Sequence, residues 1–293
     1  MAFTKTVASI LTAIFCFSAV ASQAADTLDR IKSSGEIKIG YRSSSMPLSW
    51  SANGTPTGFM VALCEKIVTD QISTALHKPI KIQYVPVTVQ TRFKLLDQQA
   101  IDMECGSTTV TLERMKQVDF SLSTYVTTSR LVSLKKTGPL TLSSMNGGVL
   151  AVQTGSSHAD LIPKMLGSAK LLQVPDAAHG IQAVANGKAA AYVDAENLIL
   201  SAIRANDMQA SDFTMGSSLS VEPFAIVTRK GDAGIEKLID QGLRKIFSHS
   251  DLALTMLQGY STQMGADINA LTRDAIRNPS RSHECSMLEA VTC

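Results

Sequence analysis

Residues 102–114 read Asp-Met-Glu-Cys-Gly-Ser-Thr-Thr-Val-Thr-Leu-Glu-Arg. A short strand-like run, Ile101 to Glu104, stops at Cys105-Gly106. Ser107, Thr108 and Thr109 follow, and Arg114 comes five positions after Thr109. The pattern predicts a strand running into a helix that begins near Thr111, with Arg114 in the first turn. A cation at that end opposes the helix dipole, so the arrangement calls for a negative partner. Gly106 allows a sharp turn or a close approach of backbone to a ligand. Ser107 and Thr109 supply hydroxyls, and a helix start supplies free N–H groups, which together suit an anion. Arg114 can clamp a carboxylate through two parallel N–H bonds. The plainer alternative is a Ser/Thr helix cap beside a solvated arginine.

Outward from this stretch, the pattern alternates strand and helix. Thr27 to Lys32 reads as a short helix with Asp26 as its cap and Gly35 as its stop. Glu36 to Gly40 alternates like a half-buried strand. Phe59 to His77 carries apolar residues at helical spacing, Ile80 to Val87 reads as a strand, and Thr91 to Gln99 as a short helix. That order predicts an α/β unit with mainly parallel pairing. After Ser129 a second unit begins. Gly148 to Val152, Ala189 to Val193 and Phe224 to Thr228 read as strands. Ala177 to Asn186, Glu196 to Arg204, Ile235 to His249 and Leu252 to Tyr260 read as helices.

The bulk numbers bound the function. The chain has 293 residues, 45% hydrophobic and 18% charged, with a formal net charge of +2. That describes a globular chain with a substantial core and no Lys/Arg-rich run, so nucleic acid is not an expected partner. Lys5, the apolar run Val7 to Ala21 and Ser22-Gln23-Ala24 read as a signal peptide, residues 1–24, cleaved after Ala24 or after Ala21. The expected location is periplasmic. Four cysteines follow: Cys64, Cys105, Cys285 and Cys293. Four allow three pairings. Cys64–Cys105 and Cys285–Cys293 are favoured, with free buried thiols at Cys64 and Cys105 as the alternative. No C-x-x-C or histidine cluster suggests a metal, and no cofactor is implied.

Several motifs fall together in a recognisable order. They are Gly40-Tyr41-Arg42 with Ser43-Ser44, Gly58-Phe59, Val85-Pro86-Val87-Thr88, Gln90-Thr91-Arg92, the opening Glu104 to Thr109 with Glu113-Arg114, Phe120-Ser121 and His179-Gly180. With them the chain resembles the exported amino-acid-binding proteins of bacterial ABC importers, closest to the glutamate/aspartate-binding branch, over about residues 26 to 250. The resemblance implies a two-lobed α/β periplasmic-binding-protein fold with two hinge strands and ligand in the cleft. Lobe 1 would comprise residues 25–130 and 226–280, lobe 2 residues 131–225, and 281–293 a C-terminal tail. The hinge strands would be Arg130 to Leu134 and Phe224 to Thr228.

The same resemblance implies the site. Residues matching Ser107, Thr109 and Arg114 hold the ligand's α-carboxylate. Those matching Arg42, Arg92 and His179 hold its side-chain carboxylate, and Ser156-Ser157 supply hydroxyls from the second lobe. Asp194 meets the ammonium. The physics agrees, because burying a dicarboxylate requires a cation or several donors for each carboxylate. Two departures stand out. Val89 occupies a position where this branch has a serine. Asp194 lies seven residues after Gly187 where the pattern has eight, so Glu196 is an alternative partner for the ammonium.

The function implied is capture of a polar, acidic amino acid and its delivery to an ABC-importer permease by a monomer, without catalysis. Other readings have thinner support. Gly155-Ser156-Ser157-His158-Ala159 follows a strand like a nucleophile elbow, but the second glycine is replaced by alanine. A dehydratase-type enzyme on the same fold would need a general acid or base, for which Glu104 or Glu196 could serve. A binding module feeding a membrane sensor would share every motif.

Overall fold

The computed structural model describes residues 26–166, 170–264 and 267–281. The expected signal peptide and the pair Cys285 and Cys293 lie outside these residues. Helix α1 (Thr27–Ser34) starts where the Asp26 side chain accepts from Leu28 N, and it ends at Gly35 in the left-handed region, φ 74°. Strand β1 (Glu36–Arg42) follows directly. A small antiparallel sheet of β2 (Ser44–Ser45), β3 (Ser49–Ala52) and β4 (Thr55–Thr57) leads into α2 (Phe59–Ile67). That helix continues through a π-helical stretch, Val68–Ile72, into α3 (Ser73–Ala75). Then come β5 (Lys81–Val87), α4 (Arg92–Asp97), β6 (Met103–Thr109) and the long β7 (Val118–Leu134).

The chain continues with β8 (Val149–Gln153), α5 (Ser157–Met165), β9 (Lys170–Val174), α6 (Ala177–Ala185), β10 (Ala191–Ala195) and α7 (Glu196–Ala205). The second long strand is β11 (Phe213–Arg229), followed by α8 (Ala233–Phe247), α9 (Ser250–Ser261) and α10 (Ala270–Arg277). The strands form one continuous ladder in the order β5-β1-β6-β11-β7-β10-β8-β9. At one end β5, β1 and β6 are parallel. At the other end β10, β8 and β9 are parallel. Between them β7 and β11, each of 17 residues, run antiparallel to each other from Val118–Arg229 to Leu134–Phe213.

Both faces of this ladder are covered, as parallel strands require. In the first half, Ile37, Ile39 and Met103 pack against α2, α8 and α9, and Val87, Leu96 and Ile101 pack on the opposite face. In the second half, β10 shows the period of two directly. Tyr192 faces Ile181, Val184 and Ile199, while Ala191 and Val193 face Leu150 and Ile162. Two separate pairs of cores therefore sit at the two ends of β7 and β11, and the fold is two-lobed, α/β, with the long strands joining the lobes.

The structure corrects the opening stretch. β6 does not stop at Cys105-Gly106 but runs to Thr109, and no α-helix starts at Thr111. Arg114 begins a single 3₁₀ turn, Arg114–Lys116, because the chain must re-enter the sheet at Val118 and has no room for a longer helix. β11 begins at Phe213, eleven positions before the apolar run that marked it, since its first half is rich in serine and reads as loop. α5 and α10 were not expected either. α5 carries Pro163, which interrupts a helical pattern in the sequence.

Cys64 of α2 and Cys105 of β6 are joined, with Cα atoms 6.5 Å apart and both side chains fully buried. The bridge closes a separation of 41 residues. Chain entropy for a loop of that size gives a stabilisation of about 4 kcal/mol. A Cys64→Ala/Cys105→Ala double variant is therefore expected to lose roughly that much unfolding free energy. Urea unfolding of the oxidised protein and of the variant would measure it.

Candidate functional site

The site is built around an irregularity in β6. In its pairing with β11, Glu104 faces Val227 and Thr108 faces Ala225, so four steps along β6 match two along β11. The extra length makes a bulge centred on Gly106, a device common beside functional sites. The bulge folds the strand so that Thr108 Oγ1 donates to Glu104 Oε2 at 2.7 Å. A Cβ on residue 106 would stand 2.0 Å from Glu104 Oε1 and 2.7 Å from Arg42 Cγ. Glycine is required here by packing against these two side chains. Glu104 is fully buried, and its Oε1 has no hydrogen-bond partner.

Three arginines converge above this carboxylate. Arg42 ends β1, where its backbone N–H donates to Ser49 Oγ at 2.9 Å and its carbonyl accepts from the same hydroxyl. Arg92 opens α4, behind a turn in which Thr88 and Thr91 each accept from the other's backbone N–H. Arg114 opens the 3₁₀ turn and donates to the carbonyls of Thr109, at 3.0 Å, and Gly155, at 3.4 Å. All three are buried, Arg92 to 2% exposure, and none forms an ion pair among the described residues. Arg92 and Arg114 both lie over the Phe93 ring, at 5.0 Å and 5.8 Å.

Burial holds all three guanidinium groups below the usual arginine range. The effect is largest for Arg92, where burial and then Arg114 act together and Glu104 opposes them. Guanidinium still keeps its proton under these conditions. The pocket thus concentrates three buried positive charges, for which Glu104 is a shared counter-charge rather than a bonded partner.

The second lobe closes the pocket from the other side. Ser156 caps α5, accepting from Ala159 N at 3.1 Å, and Ser157 is the first residue of that helix. Gln153 ends β8 and donates to Pro175 O. Asp194 lies near the end of β10, 5% exposed, accepting from Ala195 N at 2.8 Å and from the Tyr192 hydroxyl. Burial raises the Asp194 carboxyl above its ordinary value, against the pull of His158 and these two bonds. The space between the lobes is about 30 Å³ and shares Val89, Thr109, Arg114 and Ser157 as lining with a wider cleft of about 1300 Å³.

Eight of the nine expected residues line this pocket: Arg42, Arg92, Ser107, Thr109, Arg114, Ser156, Ser157 and Asp194. Val89 lines it as well. His179 does not. It sits in the first turn of α6, its side chain 58% exposed, and its Nδ1 is 2.8 Å from Asp176 Oδ1. Asp176 caps α6 and holds the imidazole at the surface. Glu196 is also placed elsewhere, paired with Arg130 Nε at 2.8 Å.

Two residues absent from the expected set belong to the pocket's electrostatics. His158, in the first turn of α5, is 3% exposed, and its Nε2 lies 3.5 Å from Glu222 Oε1. Glu222 is on β11, 4% exposed, and also accepts from Ser220 Oγ at 2.5 Å. Burial lowers the proton affinity of His158, but Glu222 outweighs it and the net shift is upward. His158 in turn holds Glu222 below the usual carboxylate range despite burial. The sequence offered little signal for either: α5 was not expected, and Glu222, the only acid in β11, lies just before the apolar run that read as strand.

The comparisons with known proteins agree with this architecture. The family model of bacterial extracellular solute-binding proteins, family 3, matches residues 37–256. The L-glutamate/L-aspartate-binding protein of Pseudomonas aeruginosa is 29% identical over 252 residues, covering 83% of each chain. A Streptococcus pneumoniae ABC uptake transporter substrate-binding protein with bound histidine superposes with a TM-score of 0.71 at 22% identity, covering 84% of this chain and 99% of that one. An ancestral amino acid-binding protein, a precursor of cyclohexadienyl dehydratase, gives 0.68 at 23%, covering 80% and 99%. These two likenesses carry the fold alone.

A buried cation without an ion pair destabilises the protein that holds it. Arg92→Met keeps the apolar stem and removes that charge. It is expected to raise the unfolding free energy of ligand-stripped protein by about 1–2 kcal/mol. Chemical denaturation would show it, and an equal or larger loss would mean that Glu104 already satisfies Arg92.

Proposed function

The chain belongs to the bacterial extracellular solute-binding proteins, family 3, and from that premise we propose that it captures glutamate or aspartate outside the cytoplasm. It then hands the ligand to an ABC-importer permease. The observation that carries the choice of ligand is the cluster Arg42, Arg92 and Arg114, buried around one pocket with no ion pair among the described residues. Two carboxylates on one small molecule are what such a cluster fits, because each needs a desolvated cation. The glutamate/aspartate-binding relatives in Pseudomonas aeruginosa, Salmonella typhimurium and Escherichia coli support the same ligand class.

In this reading Ser107, Thr109 and Arg114 receive the α-carboxylate, and Arg42 and Arg92 receive the side-chain carboxylate. Asp194 receives the ammonium, in preference to Glu196, which is occupied by Arg130. Ser156 and Ser157 add hydroxyls from the second lobe. Lobe 1 comprises residues 25–130 and 226–280 and lobe 2 residues 131–225, with β7 and β11 as hinges. Ligand bridging the lobes favours the closed form, which the permease reads. The protein acts as a monomer and breaks no bond.

Titration calorimetry of ligand-stripped protein tests the proposal. Glutamate and aspartate are expected to bind, and glutamine, asparagine and arginine to bind far more weakly. Heat from arginine or from a neutral amino acid alone would overturn it. Arg92→Ala is expected to cost the acids about 2–5 kcal/mol, the loss for one partner of a buried charge pair. Arg114→Ala is expected to abolish binding of every amino acid.

A further inference from the structure

The charges of the pocket do not balance an acidic amino acid unless one more proton is present. Three guanidinium groups, Arg42, Arg92 and Arg114, face three buried carboxyl groups, Glu104, Asp194 and Glu222. A glutamate or aspartate zwitterion adds two negative charges and one positive. Its burial would leave one net negative charge in a site that excludes water, an expensive condition. Tyr192 already donates its hydroxyl proton to Asp194 and has none to add, whereas His158, with Nε2 3.5 Å from Glu222 Oε1, can take one up.

We propose that His158, paired with Glu222, is a specificity-determining residue that must carry a proton in the ligand complex, so that the protein binds an acidic amino acid together with one proton. The proposal rests on the acidic amino-acid reading above. The geometry gives His158 no other evident task. It sits in the first turn of α5, where the helix dipole opposes a cation, and neither ring nitrogen makes a close hydrogen bond. Its surroundings nevertheless favour the cation. Glu222 on β11 and Asp194 on β10 attract the proton, while Arg114 after β6 repels it. On its own helix, Asp160 attracts Arg114. A ligand carboxylate entering beside Arg114 would shift the balance further toward imidazolium.

The consequence is linkage between pH and affinity. Where His158 of the free protein is already protonated, affinity is flat. Above that point each complex must take up one proton, so affinity falls by up to about tenfold per pH unit. A neutral amino acid that binds at all shows no such slope, because it adds no net charge.

The experiment is calorimetry of the full mature protein with glutamate from about pH 6 to about pH 8.5, the range in which histidine titrates. Each pH is run in two buffers of different ionisation enthalpy, which yields the number of protons taken up. The expected result is weakening affinity and approach to one proton per glutamate at the alkaline end. His158→Gln is expected to bind glutamate more than tenfold more weakly at pH 6 and to lose the slope, with an unchanged thermal melt as its folding control. If that variant binds too weakly to follow, Glu222→Gln serves. Removing Glu222 takes one negative charge from the same count, so glutamate is expected to bind without an added proton and the slope to be lost. His179→Gln, which alters only the exposed histidine, is expected to keep the wild-type slope. Tight glutamate binding that is flat in pH and takes up no proton would overturn this inference and leave the proposed function intact. A slope that survives in His158→Gln, or vanishes in His179→Gln, would also overturn it. No binding of either acid at any pH would overturn the proposed function itself, and this inference with it.

Discussion

Crowding of like charge is the constraint around which this molecule is arranged. Three guanidinium groups are withdrawn from water around one pocket, and Arg114 and Arg42 both raise the cost of burying Arg92. The fold meets that cost with indirect means. Glu104 sits beneath the group without bonding to any of its members, Phe93 offers its ring face to two of them, and backbone carbonyls take single bonds from Arg114. None of these satisfies a guanidinium completely. The rest of the pocket follows from the need to hold these groups in place while leaving them unsatisfied.

Holding them falls to rigid elements at their ends. Arg42 closes a strand, Arg92 opens a helix, and Arg114 opens a turn fixed by the Thr111 hydroxyl. Each comes from a different segment of the first lobe, all three line one pocket, and Arg42 packs directly against the bulge at Gly106. The bulge depends on its neighbours in turn. Cys105 is tied to α2 immediately before it, and Thr108 is tied back to Glu104 immediately after it.

Much of this was legible in the sequence. The α/β class was visible because strand and helix periods are local, and the eight pocket residues were reached through the family resemblance, whereas β7 runs unbroken through Ser129, where the sequence suggested a new unit. What could not be read was non-local. Gly106 was read as a turn or an approach to ligand, whereas its role comes from Glu104 and Arg42, one of which lies on another strand. The start of β11 was hidden because its serine-rich half gains its hydrogen bonds from β7, far away in sequence. His179 was expected in the pocket, and the Asp176 cap that holds it outward is invisible without α6. Glu222 was passed over for a related reason: an acid in a strand acquires meaning only when His158 is known to face it.

The path of β11 has a consequence for how the chain assembles. Thr109 of β6 pairs with Phe224, and Met103 with Thr228, so the sheet of the first lobe contains a strand made long after its neighbours. The ladder β8, β9 and β10 needs only residues 149–195 for its parallel pairs. Contacts of short separation form before those that must close a long loop. The early strands β1, β5 and β6 therefore wait with one edge open while the middle of the chain takes shape. In a nascent chain the sheet of the first lobe thus stays unfinished until the last third of the sequence has emerged.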